Sequence, residues 1–135
     1  MIAQFGVIPW RRSAGGGAEI LLITSRETRR WVVPRGNAMA GLRDYEAAAQ
    51  EAYEEAGIRG GVEQSALGTY RYDKRRRDGS VVAAEVQLFR MLVTEEAADW
   101  PERRERERRW FAPKDAAAAV AEPDLARLIL RAAPD

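Results

Sequence analysis

The chain has 135 residues, 46% of them apolar and 32% charged, a composition typical of a soluble globular protein with a single core. Its 22 basic and 21 acidic residues give a net charge of +1, so the overall charge does not favour nucleic acid as a partner. The absence of cysteine and histidine excludes disulfides, thiolate nucleophiles, zinc–thiolate sites and a histidine base. Any catalysis must therefore rely on carboxylates or lysine for proton transfer, together with a metal ion.

The length predicts a single domain spanning residues 1–135. No apolar run approaches the ~20 residues that a membrane-spanning helix needs. Met1 to Trp10 lacks the charged start and long apolar centre of a signal peptide. We therefore expect a cytoplasmic protein with no membrane partner.

The first third of the chain predicts strands separated by turns. Phe5 to Trp10 and Glu19 to Thr24 (EILLIT) are apolar runs that predict two strands of a hairpin, the second of them buried. The triple glycine at 15–17 predicts their connection, because neither a Lys or Ser/Thr nor a helix follows it as in a phosphate-binding loop. Trp31 to Val33 predicts a short strand that breaks at Pro34 and leads into a loop containing Gly36.

A helix is predicted from Asp44, as N-cap, to Gly57, as C-terminal stop. Its Glu51, Glu54 and Glu55 are spaced to lie together as one acidic cluster. The helical period places the acids outward and a packing face opposite them, formed by Tyr45, Ala49, Ala52, Tyr53 and Ala56. Because three like charges within one turn repel each other, we expect a positive group among them; the alternative is a solvated acidic face.

The second half predicts another hairpin and two helices. Tyr70 to Thr94 should form a hairpin around Asp78-Gly79. Trp110-Phe111 predicts a short strand, and Pro113 can start a helix. Pro123 to Ala132 predicts the closing helix. This order predicts an α/β (α+β) fold, with helices on both faces of a mixed sheet.

The run from Gly36 to Ile58 resembles the signature of the Nudix hydrolases: Gly, five residues, Glu, seven residues, then Arg-Glu-apolar-any-Glu-Glu-any-Gly-apolar. Leu42 stands where the family has its first Glu, and it could instead pack on the helix as a hydrophobic staple. Gln50 stands where the family has an Arg that is thought to orient a catalytic carboxylate. A neutral amide should hold that carboxylate less firmly.

The resemblance implies a Nudix-type α/β/α sandwich and a Mg²⁺- or Mn²⁺-dependent pyrophosphohydrolase. It makes Glu51 and Glu55 the main metal ligands and Glu54 a further ligand or an orienting group. Glu55 could also serve as the base, and the backbone carbonyl of Gly36 would complete the metal shell. Physically, the cation offsets charge on the diphosphate while a carboxylate accepts a proton from the attacking water.

Residues outside the signature suggest the substrate. Arg30 to Gly36, Asp99-Trp100 and Arg109 to Phe111 resemble the branch that hydrolyses diphosphoinositol and diadenosine polyphosphates. The candidate substrate-binding residues are Arg11, Arg26, Arg35, Lys74, Arg75 and Arg76. The basic run from Lys74 to Arg77 could meet a polyphosphate, although such a run is more often a solvated loop.

Two features between residues 99 and 109 can have structural rather than functional roles. Trp100 could stack on a base or cover the edge of the core. The run from Glu102 to Arg109 alternates in sign and predicts surface ion pairs of little energetic value.

The expected partner is a phosphorylated small molecule, and the chain is expected to be a monomer or homodimer. A second hypothesis is a Nudix-fold sensor that binds a phosphorylated ligand or nucleotide without turnover. The replacements at Leu42 and Gln50 support that alternative.

Overall fold

The computed structural model describes residues 1–134, which form one mixed sheet and three helices. The strands are β1 (Ile2–Arg12), β2 (Ala18–Thr24), β3 (Trp31–Val32), β4 (Arg35–Asn37), β5 (Ile58–Val62), β6 (Gly68–Arg75), β7 (Val81–Glu96) and β8 (Arg108–Phe111). The helices are α1 (Asp44–Ala56), α2 (Pro113–Ala119) and α3 (Pro123–Ala132). None of these helices has the length and apolar composition needed to cross a membrane.

Strands β1 and β7 form the centre of the sheet and run parallel to each other. The sheet order is β3-β2-β1-β7-β5, while β4 pairs with β1, β6 with β7 and β8 with β2. All of these other ladders are antiparallel. Both predicted hairpins, β1–β2 and β6–β7, are therefore confirmed, and so is the mixed sheet.

The core lies on both faces of the sheet, because neighbouring side chains along a strand point to opposite faces. Ile20 and Leu22 pack with α2 and α3, whereas Leu21 and Ile23 pack with α1. This two-sided burial explains why EILLIT is continuously apolar instead of alternating. The predicted arrangement, with helices on both faces of the sheet, is confirmed.

The ends of α1 differ slightly from the prediction. Arg43, not Asp44, occupies the N-cap position, and its backbone N–H donates to the Glu46 carboxylate at 2.8 Å. At the other end Gly57 adopts φ 67° and donates its N–H to the carbonyl of Tyr53, as a C-terminal glycine does. Leu42 is 42% exposed and belongs to neither buried cluster, and it lines a shallow surface pocket with Tyr45 and Ala49 of α1.

The packing face of α1 is rotated relative to the prediction. The predicted Ala52 and Ala56 do enter the core, but Ala47 and Ala48 are buried beside them in place of Ala49 and Tyr53. Because this face is rotated, Glu55 is carried inward and is only 8% exposed. The prediction that all three acids look outward is therefore wrong for Glu55. The loop predicted around Gly36 is also wrong, since Gly36 lies in β4 and pairs with Phe5 of β1.

Candidate functional site

A cleft of about 620 Å³ opens beside the acidic end of α1. Strand β4 and the end of β6 form part of its wall, and the chain segments 25–30 and 102–106 complete it. Its charged and polar lining comprises Gln4, Ser25, Arg26, Glu27, Thr28, Arg30, Arg35, Asn37, Glu51, Glu54, Glu55, Tyr72, Asp73, Lys74, Arg75, Glu102 and Arg106. The structure thus brings the three predicted acids and part of the predicted basic set into one cavity.

Glu55 is the most enclosed acid of the cluster. Its Oε1 accepts the backbone N–H of Arg35 at 3.2 Å, and its Oε2 lies 3.4 Å from Nη2 of Arg106. Burial raises the pKa of Glu55 to about 8, against the opposing effect of the Arg106 charge, while repulsion from Glu51 raises it further. Glu55 is therefore a carboxyl group held in place by two partners and poised to exchange a proton near neutral pH.

Glu51 lies directly against the backbone of β4. A Cβ atom at position 36 would stand 2.5 Å from the carboxylate oxygens of Glu51, so only glycine leaves room for this carboxylate. Burial raises the pKa of Glu51, and the nearby charges of Glu54 and Glu102 add to that effect, whereas a hydrogen bond with Glu55 opposes it. Space, rather than backbone conformation, explains the glycine at the start of the signature.

Glu54 accepts a hydrogen bond from a residue of its own helix. Nε2 of Gln50 donates to its Oε2 at 2.9 Å. The amide that replaces the signature arginine is therefore directed to Glu54 in this structure, and Glu55 is held by Arg35 and Arg106 instead.

The donor set of this cluster fits a hard divalent cation, because carboxylate oxygens are the ligands that Mg²⁺ and Mn²⁺ prefer. Burial and mutual repulsion disfavour the charged forms of Glu51 and Glu55, and a cation would offset both effects. Within residues 1–134 no three acidic side chains already converge as a coordination shell. A smaller protein set, of one or two carboxylates completed by substrate phosphates, is the usual arrangement for Mg²⁺.

Arg106 is a site residue that the sequence did not reveal. The surface ion pairs expected for the run from Glu102 to Arg109 are wrong at this position, since the Arg106 side chain is only 8% exposed. It pairs with Glu102 at 2.9 Å and donates to the carbonyl of Thr24 at 3.2 Å. Nothing local distinguishes it, because Arg103 has the same spacing to Asp99 and stays exposed.

The predicted basic residues divide into two groups. Arg26, Arg35, Lys74 and Arg75 line the cleft, together with Arg30, which was not among the predicted binding residues. Arg11 and Arg76 are not among the lining residues. Arg11 instead pairs with Glu19 and Glu96, and Arg76 bonds through its backbone to Ser80 in the β6–β7 turn.

Arg35 takes part in a polar network on the cleft wall that the sequence did not predict. Its guanidinium lies 3.8 Å from the centre of the Tyr72 ring and donates to the Tyr70 hydroxyl at 3.0 Å. The Tyr72 hydroxyl donates to Gln4 at 2.6 Å, and Gln4 donates to Oδ1 of Asn37 at 3.2 Å. These bonds fix the Asn37 amide beside the acidic cluster.

Trp100 covers the end of α1 instead of facing the cleft. Its Nε1 donates to the carbonyl of Glu55 at 3.1 Å, and a Cβ at Gly57 would stand 2.7 Å from its ring. Arg108 lies 4.0 Å from the ring centre. Of the two expected roles, the structure supports the covering one.

Comparisons with known proteins agree with this geometry. A model of the NUDIX domain matches residues 3–132. Nudix hydrolase 12, mitochondrial, of Arabidopsis thaliana is 36% identical over 101 residues, 73% of this chain and 50% of that protein. Diphosphoinositol polyphosphate phosphohydrolase 3-alpha of Mus musculus is 35% identical over 101 residues, 73% of this chain and 57% of that protein. The chain thus spans about half the length of the first curated relatives it matches.

Solved structures show the same fold. A C. elegans Ap4A hydrolase binary complex superposes with a TM-score of 0.70 at 19% identity, covering 98% of this chain and 94% of that one. The NUDIX domain of Shewanella oneidensis NrtR complexed with ADP ribose gives 0.69 at 12% identity, covering 95% and 85%. With its signature acids gathered in one cleft and the family model matching nearly its whole length, the chain belongs to the Nudix hydrolase family.

Proposed function

We propose that this protein is a divalent-metal-dependent pyrophosphohydrolase that cleaves a diphosphate bond in a multiply phosphorylated small molecule. The observation that carries the proposal is that one cleft holds both the three acids of α1 and a set of cations. Glu51, Glu54 and Glu55 line it together with the basic residues Arg26, Arg30, Arg35, Lys74 and Arg75. The acids fit a cation, and the basic residues fit further phosphates of the same substrate.

Each acid has a distinct proposed role. Bound Mg²⁺ or Mn²⁺ would offset charge on the diphosphate and polarise a phosphoryl oxygen. Glu51 and Glu55 would hold it, with Glu54 as a further ligand or orienting group and the Gly36 carbonyl completing the shell. Glu55 is also the proposed proton acceptor for the attacking water, because the bound cation would favour its ionised form, which is the form that can take a proton.

The favoured substrates are diadenosine polyphosphates and diphosphoinositol polyphosphates, the two classes named in the C. elegans and Mus musculus relatives. The cleft recognises its ligand mainly through charge. Tyr72 is the only aromatic residue in its lining among residues 1–134, and the guanidinium of Arg35 covers one face of that ring. A base-stacking platform is therefore limited, whereas cations for phosphate are plentiful.

The deciding experiment measures product release from a panel with and without Mg²⁺. The panel contains diadenosine tetraphosphate and pentaphosphate, diphosphoinositol pentakisphosphate, ADP-ribose and nucleoside triphosphates. We expect metal-dependent release from at least one of the first three compounds. Glu51→Gln and Glu55→Gln should each abolish it with an unchanged circular dichroism spectrum, and full activity in both variants would refute these assignments.

The second candidate function is a sensor that binds a phosphorylated ligand without turnover. The observation that favours it is the loss of the two signature residues at Leu42 and Gln50, combined with acids that are engaged by protein partners instead of being converged for a metal. Tight binding of a panel compound with no product release under any metal condition would support the sensor.

Location and assembly stay predictions. We propose a cytoplasmic monomer or homodimer, although several matched plant relatives are named as mitochondrial or chloroplastic proteins. Fractionation of cells that express the tagged chain tests the location. Light scattering of the purified chain tests the assembly.

A further inference from the structure

The last turn of α1 is held from outside by one segment of the chain, residues 97–108. A helix leaves its final carbonyl groups without partners inside the helix. Here four consecutive carbonyls receive donors from this segment. Glu102 N donates to Glu54 O at 3.0 Å, Trp100 Nε1 to Glu55 O at 3.1 Å, Arg108 Nη1 to Ala56 O at 2.9 Å and Ala97 N to Gly57 O at 2.8 Å. The backbone that carries Glu54 and Glu55 is therefore fixed by residues 40 or more positions away in the sequence.

The same segment also holds a side chain of the acidic cluster. Arg106 reaches Oε2 of Glu55 at 3.4 Å, and both side chains are about nine-tenths buried. A buried arginine that contacts a carboxylate restricts its rotamers more than an exposed pair would, because neither group is free to move into water. Segment 97–108 thus contacts Glu55 at its carbonyl and at its carboxylate.

All three nitrogens of the Arg106 guanidinium already face protein oxygens. Nε bonds to Glu102 at 2.9 Å, Nη1 to the carbonyl of Thr24 at 3.2 Å, and Nη2 faces Glu55. Arg106 lines the cleft as Arg26 and Arg75 do. Three of its five N–H donors are directed at protein oxygens, so it is arranged to hold other residues in place.

We infer that Arg106 is a positioning residue for Glu55, and that the 97–108 segment supplies the support that a neutral Gln50 does not give. Nε2 of Gln50 donates to Glu54 at 2.9 Å, whereas Arg106 reaches Glu55 at 3.4 Å. The inference rests on the proposed role of Glu55. It predicts that a positive charge at position 106 is not enough to hold Glu55 in place, and that the three contacts made by the arginine guanidinium are required.

The test compares Arg106→Gln and Arg106→Lys with Arg103→Gln as the matched control. Arg103 lies in the same run, but its side chain is 57% exposed and pairs only loosely with Asp99 at 3.7 Å. Removing a residue that orients a metal ligand typically lowers metal affinity or activity by about 10- to 100-fold. We therefore expect kcat of Arg106→Gln to fall by about 10- to 100-fold with KM within about twofold of wild type, while Arg103→Gln stays at wild-type values.

Lysine keeps the charge of arginine but cannot reproduce the fork that reaches three oxygens. Arg106→Lys should therefore remain impaired. Wild-type kcat in Arg106→Lys would overturn the geometric requirement. A raised KM with unchanged kcat in Arg106→Gln would show instead that Arg106 contacts the substrate.

A second measurement does not depend on turnover. Mn²⁺ binding, followed by electron paramagnetic resonance, should weaken by about 10- to 100-fold in Arg106→Gln. Because the Arg106 charge itself favours the ionised form of Glu55, Arg106→Lys, which keeps that charge, is measured beside it and should weaken Mn²⁺ binding as well. Tighter or unchanged binding overturns the inference.

The two proposals fail in different ways. If wild-type protein releases no product from any panel compound, the proposed reaction fails, and Mn²⁺ binding alone decides the positioning role. If Arg106→Gln does not fold, Trp100→Phe keeps the ring but removes the donor to the Glu55 carbonyl. That variant should lower kcat several-fold at unchanged KM, and wild-type kcat in it would refute support from this segment.

Discussion

Replacing Gly36 with alanine should displace the Glu51 carboxylate while changing the stability of the fold only slightly. The added Cβ would stand 2.5 Å from both carboxylate oxygens of Glu51, against about 3.4 Å for ordinary contact. The carboxylate must therefore move by roughly 1 Å. Because it is the end of a flexible side chain, it can do so by leaving its preferred rotamer, which costs about 0.5–1.5 kcal/mol in the free energy of unfolding.

The effect on catalysis should be larger than the effect on stability. A misplacement of about 1 Å in a reacting group can lower the rate by roughly 100-fold, equivalent to about 2.7 kcal/mol in the activation free energy. Gly36→Ala should thus lose about two orders of magnitude in kcat, while its melting temperature falls by only a few degrees. Steady-state assays on the best panel substrate and thermal unfolding followed by circular dichroism measure the two quantities.

The matched control is Gly61→Ala. Gly61 lies in β5, and a Cβ at this position would meet no atom within 4 Å. This variant should keep wild-type kcat. Wild-type kcat in Gly36→Ala would refute the reasoning that space at position 36 serves the Glu51 carboxylate. Equal losses in both variants would refute it too, since the loss would then follow from any glycine substitution in the sheet.

Three further outcomes follow from charge, packing and binding. Lys74→Ala should raise KM several-fold for the most phosphorylated substrate, and the rise should be smaller at high salt. Arg76→Ala, outside the cleft lining, should leave KM unchanged. If the two variants have the same KM, Lys74 does not contact the substrate phosphates. Leu125→Ala, fully buried against the sheet, should lower the unfolding free energy by about 2–5 kcal/mol in urea titrations. The matched Leu130→Ala, 49% exposed, should lower it far less, and equal losses would contradict the assigned core. Mg²⁺ at 100 times its Kd should stabilise the protein by about 2.7 kcal/mol in thermal unfolding, and no shift at any concentration would argue against a metal site.

Local patterns predicted much of the fold. The apolar run EILLIT forms β2, and the turn at Asp78-Gly79 joins β6 to β7. The closing helix spans Pro123–Ala132, as the pattern indicated. Each of these features depends on residues within a few positions of each other, where propensity and period act directly. The acidic cluster was predictable for the same reason, since Glu51, Glu54 and Glu55 belong to one turn of one helix.

The environment of those acids could not be predicted in this way. A helical period states which residues share a face, but the packing of α1 on the sheet decides which face is buried. The small alanines at 48, 52 and 56 face the core, and this rotation carries Glu55 inward. The pattern had correctly placed Ala52 and Ala56 on the packing face, but it had added Ala49 and Tyr53 where the structure buries Ala48 and Glu55, because alanine and tyrosine are compatible with either face.

The sequence by itself determined the two hairpins, the helices, the signature glycine and a set of three acids suited to a hard cation, but it missed β4 and β5. Only the tertiary structure decided that Glu55 is buried, that Arg106 holds it across 51 positions of chain, and that Arg11 and Arg76 lie outside the cleft. The physical reason is the range of the interactions. Helix and strand patterns arise from neighbours in the chain, whereas burial and ion pairing depend on segments that meet only when both faces of the sheet are covered.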